Sequence, residues 1–330
     1  MMDSNSGKYK KYTAEVDNRL MEVTGKNDPK LLYEPIKYIL SGGGKRIRPV
    51  LLIFSCEAFG GKPEDAYSAA VAIEILHNFT LVHDDIMDNA DTRRGKETVH
   101  KKWDANIAIL AGDEMIGLAY KSLSKTKSDR ISEIFDCFTD GIIEVCEGQS
   151  YDKEFETRGN VSLDEYLMMI GKKTSKLLET CAVVGALIAG ADEKQINAMR
   201  EYANNIGLAF QIQDDLLDII ADEKDFGKKN GGDIYEHKKT YLILKALETA
   251  TDGNDKTELM KVISNNGELI SETDVNKIKA IYKKYGVIED AKKKIEHYTT
   301  KANNYLDIIS NEEHKKQLLW FSSMLLSRNF

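Results

Sequence analysis

The sequence predicts an all-α protein, a single helical domain over residues 1–330. Three observations predict it. The last proline is Pro63, so nothing in the rest of the chain forces a long helix to stop. Apolar residues recur three and four apart over long stretches, the spacing of one helix face. No run alternates apolar and polar residues between turn signals, as a half-buried strand would. At 42% apolar and 30% charged residues, the chain has material for a deep core and lacks the composition of a disordered one.

The strongest periodicity covers 65–90 and contains AYSAAVAIEILHNFTLVHDDIMD. A second helical stretch, ISEIFDCFTDGIIEVCEGQSYDKEF, covers 131–155. Ser162 followed by Glu165 has the form of a capping box, and it opens SLDEYLMMIGKKTSKLLETCAVVGALIAG at 162–190. INAMREYANNIGLAFQIQDDLLDIIAD continues the pattern over 196–222. The C-terminal third is rich in lysine and asparagine, and its amphipathic segments read as peripheral. Polar, glycine-containing loops are expected at 41–45 and 227–232. No linker rich in Pro, Gly or Ser divides the chain.

Lys plus Arg total 46 against 54 Asp plus Glu, a net charge of −8. This balance excludes a nucleic-acid-binding domain, which needs an overall basic footprint. No apolar stretch has the length of a membrane span, and the first twenty residues lack the apolar run of a signal peptide. Cys56, Cys137, Cys146 and Cys181 show no CxxC spacing and sit in apolar, helical contexts, so they are expected to be buried free thiols in a cytoplasmic protein.

The chemistry concentrates in carboxylates placed where a core should be. His83-Asp-Asp-Ile-Met-Asp88 supplies Asp84, Asp85 and Asp88, and Gln213-Asp-Asp-Leu-Leu-Asp218 supplies Asp214, Asp215 and Asp218. At i and i+4, Asp84 lies over Asp88 and Asp214 over Asp218, with Gln211 and Asp222 one turn either side of the second pair. Such like-charge pairs destabilise an isolated helix by about 0.2–0.5 kcal/mol each. One such triplet alone reads as a solvated helix face. Two, both inside apolar helices and accompanied by basic clusters, read as a cation site. Hard oxygen donors without a His/Cys set favour Mg²⁺, completed by water and substrate phosphates.

The basic clusters are islands in an acidic chain. Ser41-Gly-Gly-Gly-Lys-Arg-Ile-Arg-Pro49 carries Lys45, Arg46 and Arg48 but is no P-loop, because Arg46 follows the lysine. Arg93 and Arg94 come directly after the first aspartates. Lys173, Thr174, the 227–233 loop and Lys238 supply further groups. Together they describe a site for more than one diphosphate. His77, seven residues before Asp84, shares its helix face and is read as a phosphate contact. His83 raises a His-Asp metallohydrolase, but His100, His237, His297 and His314 form no matching ligand pattern.

Taken in order, GGGKRIRP, LVHDDIMDNADTRRG, KKTSKLL and FQIQDDLLD with GKKNGGD resemble the trans-isoprenyl diphosphate synthases of the polyprenyl synthetase family, archaeal short-chain type, over about residues 31–241 and as far as 328. The resemblance implies the isoprenoid synthase fold: long, mostly antiparallel helices around a deep central cavity, in a homodimer. It also implies 1'-4 condensation of isopentenyl diphosphate onto an allylic diphosphate (dimethylallyl, geranyl or farnesyl). By motif position, the six aspartates would hold three Mg²⁺ ions. Arg93, Lys173, Thr174, Gln211, Lys228 and Lys238 would contact the allylic diphosphate, with Lys173 and Lys228 joining the aspartates in catalysis. Lys45, Arg48, His77 and Arg94 would bind isopentenyl diphosphate, with Phe210 near its tail. The allylic carbon–oxygen bond would break to a cation, and the proton lost after coupling would leave with pyrophosphate, no buried carboxylate base being evident outside the aspartate motifs.

Phe79, five residues before the first motif, and the small Thr80 beside it match chain-length positions that favour a C20 product, geranylgeranyl diphosphate, with C15 farnesyl diphosphate as intermediate or co-product. Helix spacing alone turns Phe79 away from the Asp84 face. His237, where the family commonly has glycine, and Tyr241-Leu242, where Leu-Pro is usual, are departures. The competing readings are a class I terpene cyclase, which needs no Lys45, Arg48 or Arg94; a non-catalytic subunit, which would be expected to lose its metal ligands; and a divalent-metal-binding helical scaffold.

Overall fold

The computed structural model describes residues 2–221, 230–264 and 269–327. Its contacts divide the chain into two compact units, Met1–Phe138 with Thr180–Met199 and Ile308–Phe321, and Thr139–Glu179 with Arg200–Asp307 and Ser322–Phe330. Among the described residues, the only strands are Thr92–Arg93 and Lys96–Glu97, and no helix is long and apolar enough to cross a membrane.

The first unit contains α1 (Met2–Val23), α2 (Lys30–Leu40), α3 (Ile47–Ala58), α4 (Pro63–Met87), α5 (Val99–Lys102) and α6 (Ala105–Leu123). Pro63 sits in the first turn of α4, where its missing N–H costs nothing. Every residue of α3 from Pro49 to Ala58 is buried, and α4 buries residues around most of its circumference, so both are core helices. The Thr92–Arg93 and Lys96–Glu97 strands form an antiparallel hairpin, too short for any period-two signal. Its turn residues, Arg94 and Gly95, have φ of 53° and 73°, as a two-residue hairpin loop requires.

α7 (Ile131–Thr157), α9 (Lys176–Ile188), α10 (Glu193–Ile220) and the helix Glu312–Ser327 contribute residues to both sets, and α8 (Leu163–Ile170) belongs to the second. The Ser162–Glu165 capping box opens α8 as expected. Between α8 and α9 the predicted single helix changes winding: Gly171–Ser175 is a π-helix. The second unit's core gathers Tyr166, Ile212, Leu216, Tyr241, Leu259 and Tyr282, among others. Part of the C-terminal third is therefore core and not periphery, since Leu259, Val275, Ile278 and Tyr282 are buried with the residues flanking the second aspartate motif. Two thiols also depart from expectation. Cys56 and Cys181 are buried, but Cys137 is half-buried and Cys146 exposed, because Val145 and Gly148 lie on the buried face of α7 and Cys146 does not.

Candidate active site

The first aspartates end α4. Asp84 and Asp85 lie in its final turn and Asp88 caps it, its N–H donating to the Asp84 carbonyl at 2.8 Å. The end of a helix exposes unsatisfied carbonyls and carries about −0.5 elementary charge. The backbone there repels anions, so carboxylates gathered at that point favour a bound cation. Asp85 is the buried member, at 5% exposure, while Asp84 is half-buried and Asp88 exposed. Burial pushes the Asp85 carboxyl upward, offset by Arg93, whose Nε donates to Oδ1 at 2.6 Å.

The glycine-rich loop lies in the same unit. Arg46 is not a ligand group but a buried anchor, bonding Glu74 at 2.6 Å, Asp17 at 2.7 Å and the Leu40 carbonyl at 3.3 Å. Arg48 points its Nη1 to His77 Nε2, 3.2 Å away, and its buried Nε has no hydrogen-bond acceptor among the described residues. Burial, followed by Arg48, Arg94, Arg93 and Arg46, holds His77 well below its ordinary pKa. The ring is neutral and accepts from Arg48. Arg94 donates to the Gly43 carbonyl. Lys45 is exposed in this loop. The structure therefore brings Arg48, His77 and Arg94 together with the loop that bears Lys45, an arrangement rich in cations and suited to an anion. Arg93, Arg94, Asp85, Tyr38, Asn78 and Leu81 also line a pocket of about 60 Å³.

The second aspartates lie in the last two turns of α10, again at a helix C-terminus. Gln211 joins this set through Asp215, one turn on, its Nε2 donating to Oδ1 at 3.3 Å, and it receives Thr174 Oγ1 at 3.1 Å. The π-helical turn carries Thr174 and Lys173, whose Nζ donates to Asp152 Oδ2 at 2.5 Å. Tight packing holds that turn. A Cβ on Gly148 of α7 would fall 2.3 Å from the Lys173 nitrogen, and one on Gly207 of α10 would fall 2.6 Å from Ser175 Cα.

Asp214 is exposed, Asp218 half-buried and Asp215 4% exposed. Thus each motif buries one aspartate, Asp85 or Asp215, and the adjacent Asp84 or Asp214 turns to a different side of its helix. Burial, then the neighbouring Asp233, pushes the Asp215 carboxyl up to about 7, against hydrogen bonds from Tyr166 OH and the Tyr241 amide. Asp233 is likewise pushed up to about 6 by burial and by Asp218 and Asp214, offset by Lys238. Gly231, at φ 88°, and Gly232 let the chain pass close enough for the Asp233 amide to donate to Asp218 Oδ2 at 3.2 Å. Lys238 pairs with Glu236 at 2.6 Å and Asp233 at 3.4 Å.

These donors fit Mg²⁺. They are hard oxygens crowded against one another, raised in pKa first by burial and then by one another's charge. Among the described residues no three His, Cys, Asp or Glu side chains form a ready-made metal cage. An ion that keeps several waters and completes its shell with phosphate needs none. A His-Asp metallohydrolase would use His83 as a ligand. His83 instead lies over Gly112 of α6, where a Cβ would come within 2.3 Å of its Nε2, and its ring meets Phe79 edge-on at 4.7 Å.

Phe79 is 7% exposed and Thr80 donates to the His77 carbonyl at 2.8 Å. Phe210 is half-buried on α10. Lys228 and Asp222 lie outside the described residues. His237, at the position where glycine is common, has φ 57°, which explains the glycine; here its Nδ1 donates to the Val262 carbonyl at 2.7 Å. Sequence reasoning missed Asp152, Tyr166 and Asp233. Asp233 ends the GKKNGGD loop, and a carboxylate closing a cationic loop was the available signal. Buried carboxylates also exist outside the motifs, contrary to expectation: Glu74 is held by Arg46, and Glu57 by Tyr12 and Gln317, so neither is a free base.

Two carboxylate-bearing helix ends, each with its own arginines or lysines, define a class of all-helical protein equipped for cations and phosphates. The chain belongs to the polyprenyl synthetase family, whose model matches residues 29–285. It is 43% identical over 266 residues to a geranylgeranyl diphosphate synthase of Sulfolobus acidocaldarius, covering 78% of this chain and 80% of that one. It is 36% identical to a short chain isoprenyl diphosphate synthase of Methanothermobacter thermautotrophicus, over 97% of both chains. The crystal structure of geranylgeranyl pyrophosphate synthetase from Pyrococcus horikoshii Ot3 superposes with a TM-score of 0.90 at 37% identity, covering 98% of this chain and all of that one.

Proposed function

We propose that this protein is a prenyltransferase that joins isopentenyl diphosphate head-to-tail, 1'-4, to dimethylallyl, geranyl or farnesyl diphosphate, with geranylgeranyl diphosphate as its main product and farnesyl diphosphate as intermediate or co-product. The observation that carries the reading is the Arg48–His77–Arg94 cluster, with a buried guanidinium nitrogen that has no acceptor among the described residues, in addition to the aspartate motifs. A cyclase ionises one diphosphate and has no use for a second cationic cluster. The family membership and the names of the relatives point the same way.

Asp84, Asp85, Asp88, Asp214, Asp215 and Asp218 would hold Mg²⁺, three ions by resemblance, which supply Lewis-acid neutralisation of the leaving pyrophosphate. Arg93, Lys173, Lys228 and Lys238 add positive charge to the same leaving group, and Thr174 and Gln211 orient it. Arg48, Arg94 and Lys45 grip isopentenyl diphosphate, while neutral His77 keeps Arg48 aimed. The isopentenyl double bond attacks the allylic carbon, and the proton released afterwards passes to pyrophosphate, since Glu74 and Glu57 are engaged elsewhere. Apolar walls keep out water, which would quench the cation. We place the protein in the cytoplasm as a homodimer acting as one catalytic domain. Ile109 and Leu110, apolar yet about half exposed on α6, suit a subunit contact.

Purified protein with Mg²⁺, farnesyl diphosphate and isopentenyl diphosphate is expected to yield geranylgeranyl diphosphate by chromatography. A cyclic hydrocarbon alone, or no isopentenyl incorporation, defeats the reading.

A further inference from the structure

The family match begins at residue 29, beyond α1, yet two side chains of α1 hold the glycine-rich loop. The Tyr9 hydroxyl donates to the Lys45 carbonyl, and Asp17 takes the Arg46 Nε hydrogen bond at 2.7 Å. Tyr9 is itself fixed, its ring lying edge-on to Trp320 at 5.9 Å.

The loop needs such holding. Gly43, Gly44 and Arg46 have φ of 70°, 155° and 50°, and Arg46 has a side chain in a conformation that favours glycine. Backbone of this kind persists only where its surroundings over-determine it. Arg46 is fixed by Asp17, Glu74 and two carbonyls, and the Gly43 carbonyl receives Arg94. The Lys45 carbonyl, between them, receives Tyr9.

We propose that Tyr9, assisted by Asp17, is a positioning residue for isopentenyl diphosphate: it sets the backbone at Lys45 so that the Lys45 and Arg48 cations, on either side of buried Arg46, engage one diphosphate. The inference rests on the function proposed above. It is separable from a general stabilising role of α1, because Tyr12 on the same helix donates instead to Glu57 of α3, at 2.8 Å.

The test compares steady-state kinetics and thermal unfolding of wild type, Tyr9→Phe and Tyr12→Phe. Losing one positioning hydrogen bond is expected to raise the Tyr9→Phe KM for isopentenyl diphosphate about five- to tenfold, more than it changes kcat, with the KM for farnesyl diphosphate within about twofold. Tyr12→Phe is expected to lower Tm without that selective KM effect. An unchanged isopentenyl KM in Tyr9→Phe, or both KM values rising together, overturns the inference while leaving the function intact. Wild-type protein that incorporates no isopentenyl diphosphate overturns the functional reading and this inference with it.

Discussion

The backbone amide of Tyr241 donates to Oδ2 of Asp215 at 2.9 Å, and the Tyr166 hydroxyl donates to the same oxygen. These donors hold a carboxylate in a buried place beside three other aspartates, Asp214, Asp218 and Asp233, where it is ill at ease without a cation. Burial and Asp233 outweigh the donors and raise its pKa from 3.8 to about 7. Sites arranged for ligands store instability in this way.

A carboxyl whose native pKa exceeds its unfolded one keeps its proton longer in the native state. Stability from Asp215 is thus fully present below about pH 4 and is lost as pH rises to about 7. Metal-free protein is expected to lose stability over that range, by at most a few kcal/mol from this group. Asp215→Asn should flatten the loss and raise the Tm of metal-free protein at pH 8, while abolishing turnover. Mg²⁺ should raise the wild-type Tm more at pH 8 than at pH 5. Thermal scans across pH with and without Mg²⁺ check this; a pH-independent Mg²⁺ effect contradicts it.

Gly148→Ala would drive a methyl into the backbone of the π-helical turn at Lys173. The expected cost is about 1–3 kcal/mol of stability. Because the turn carries Lys173 and Thr174, kcat/KM for the allylic substrate should also fall at least about tenfold. Denaturant unfolding and initial rates measure both, and full activity with unchanged stability would detach the turn from the site.

Phe79→Ala removes a buried ring packed on His83. Destabilisation of about 3–5 kcal/mol is expected, together with products longer than C20 if the ring limits the growing chain. Chromatography of dephosphorylated products reads the length, and an unchanged distribution returns Phe79 to the ordinary core.

Much of this was legible in advance, and the physics says why. Long helices announce themselves through apolar spacing, and no proline after Pro63 interrupts them. The two aspartate motifs were visible because carboxylates in apolar stretches of helix are costly. The π-helical turn was not visible, since it depends on Gly148 and Gly207 meeting Lys173 and Ser175 from elsewhere in the sequence. Asp233 reaches Asp218 only through the Gly231-Gly232 backbone, and the partnership of Arg46 with Glu74 spans 28 positions. The hairpin at 92–97 was too short to leave a pattern. Spacing along one helix is local information; pairings between elements are not.

In the function proposed above, both aspartate motifs serve a single leaving group. The decisive measurement is turnover by Asp84→Ala, Asp214→Ala and the double variant, each confirmed folded by circular dichroism. Groups that act as a unit are non-additive. Each single variant is expected to lose about a thousandfold or more in kcat, and the double to lose little beyond the worse single. Near-wild-type turnover in either single variant, or losses that multiply in the double, would contradict it.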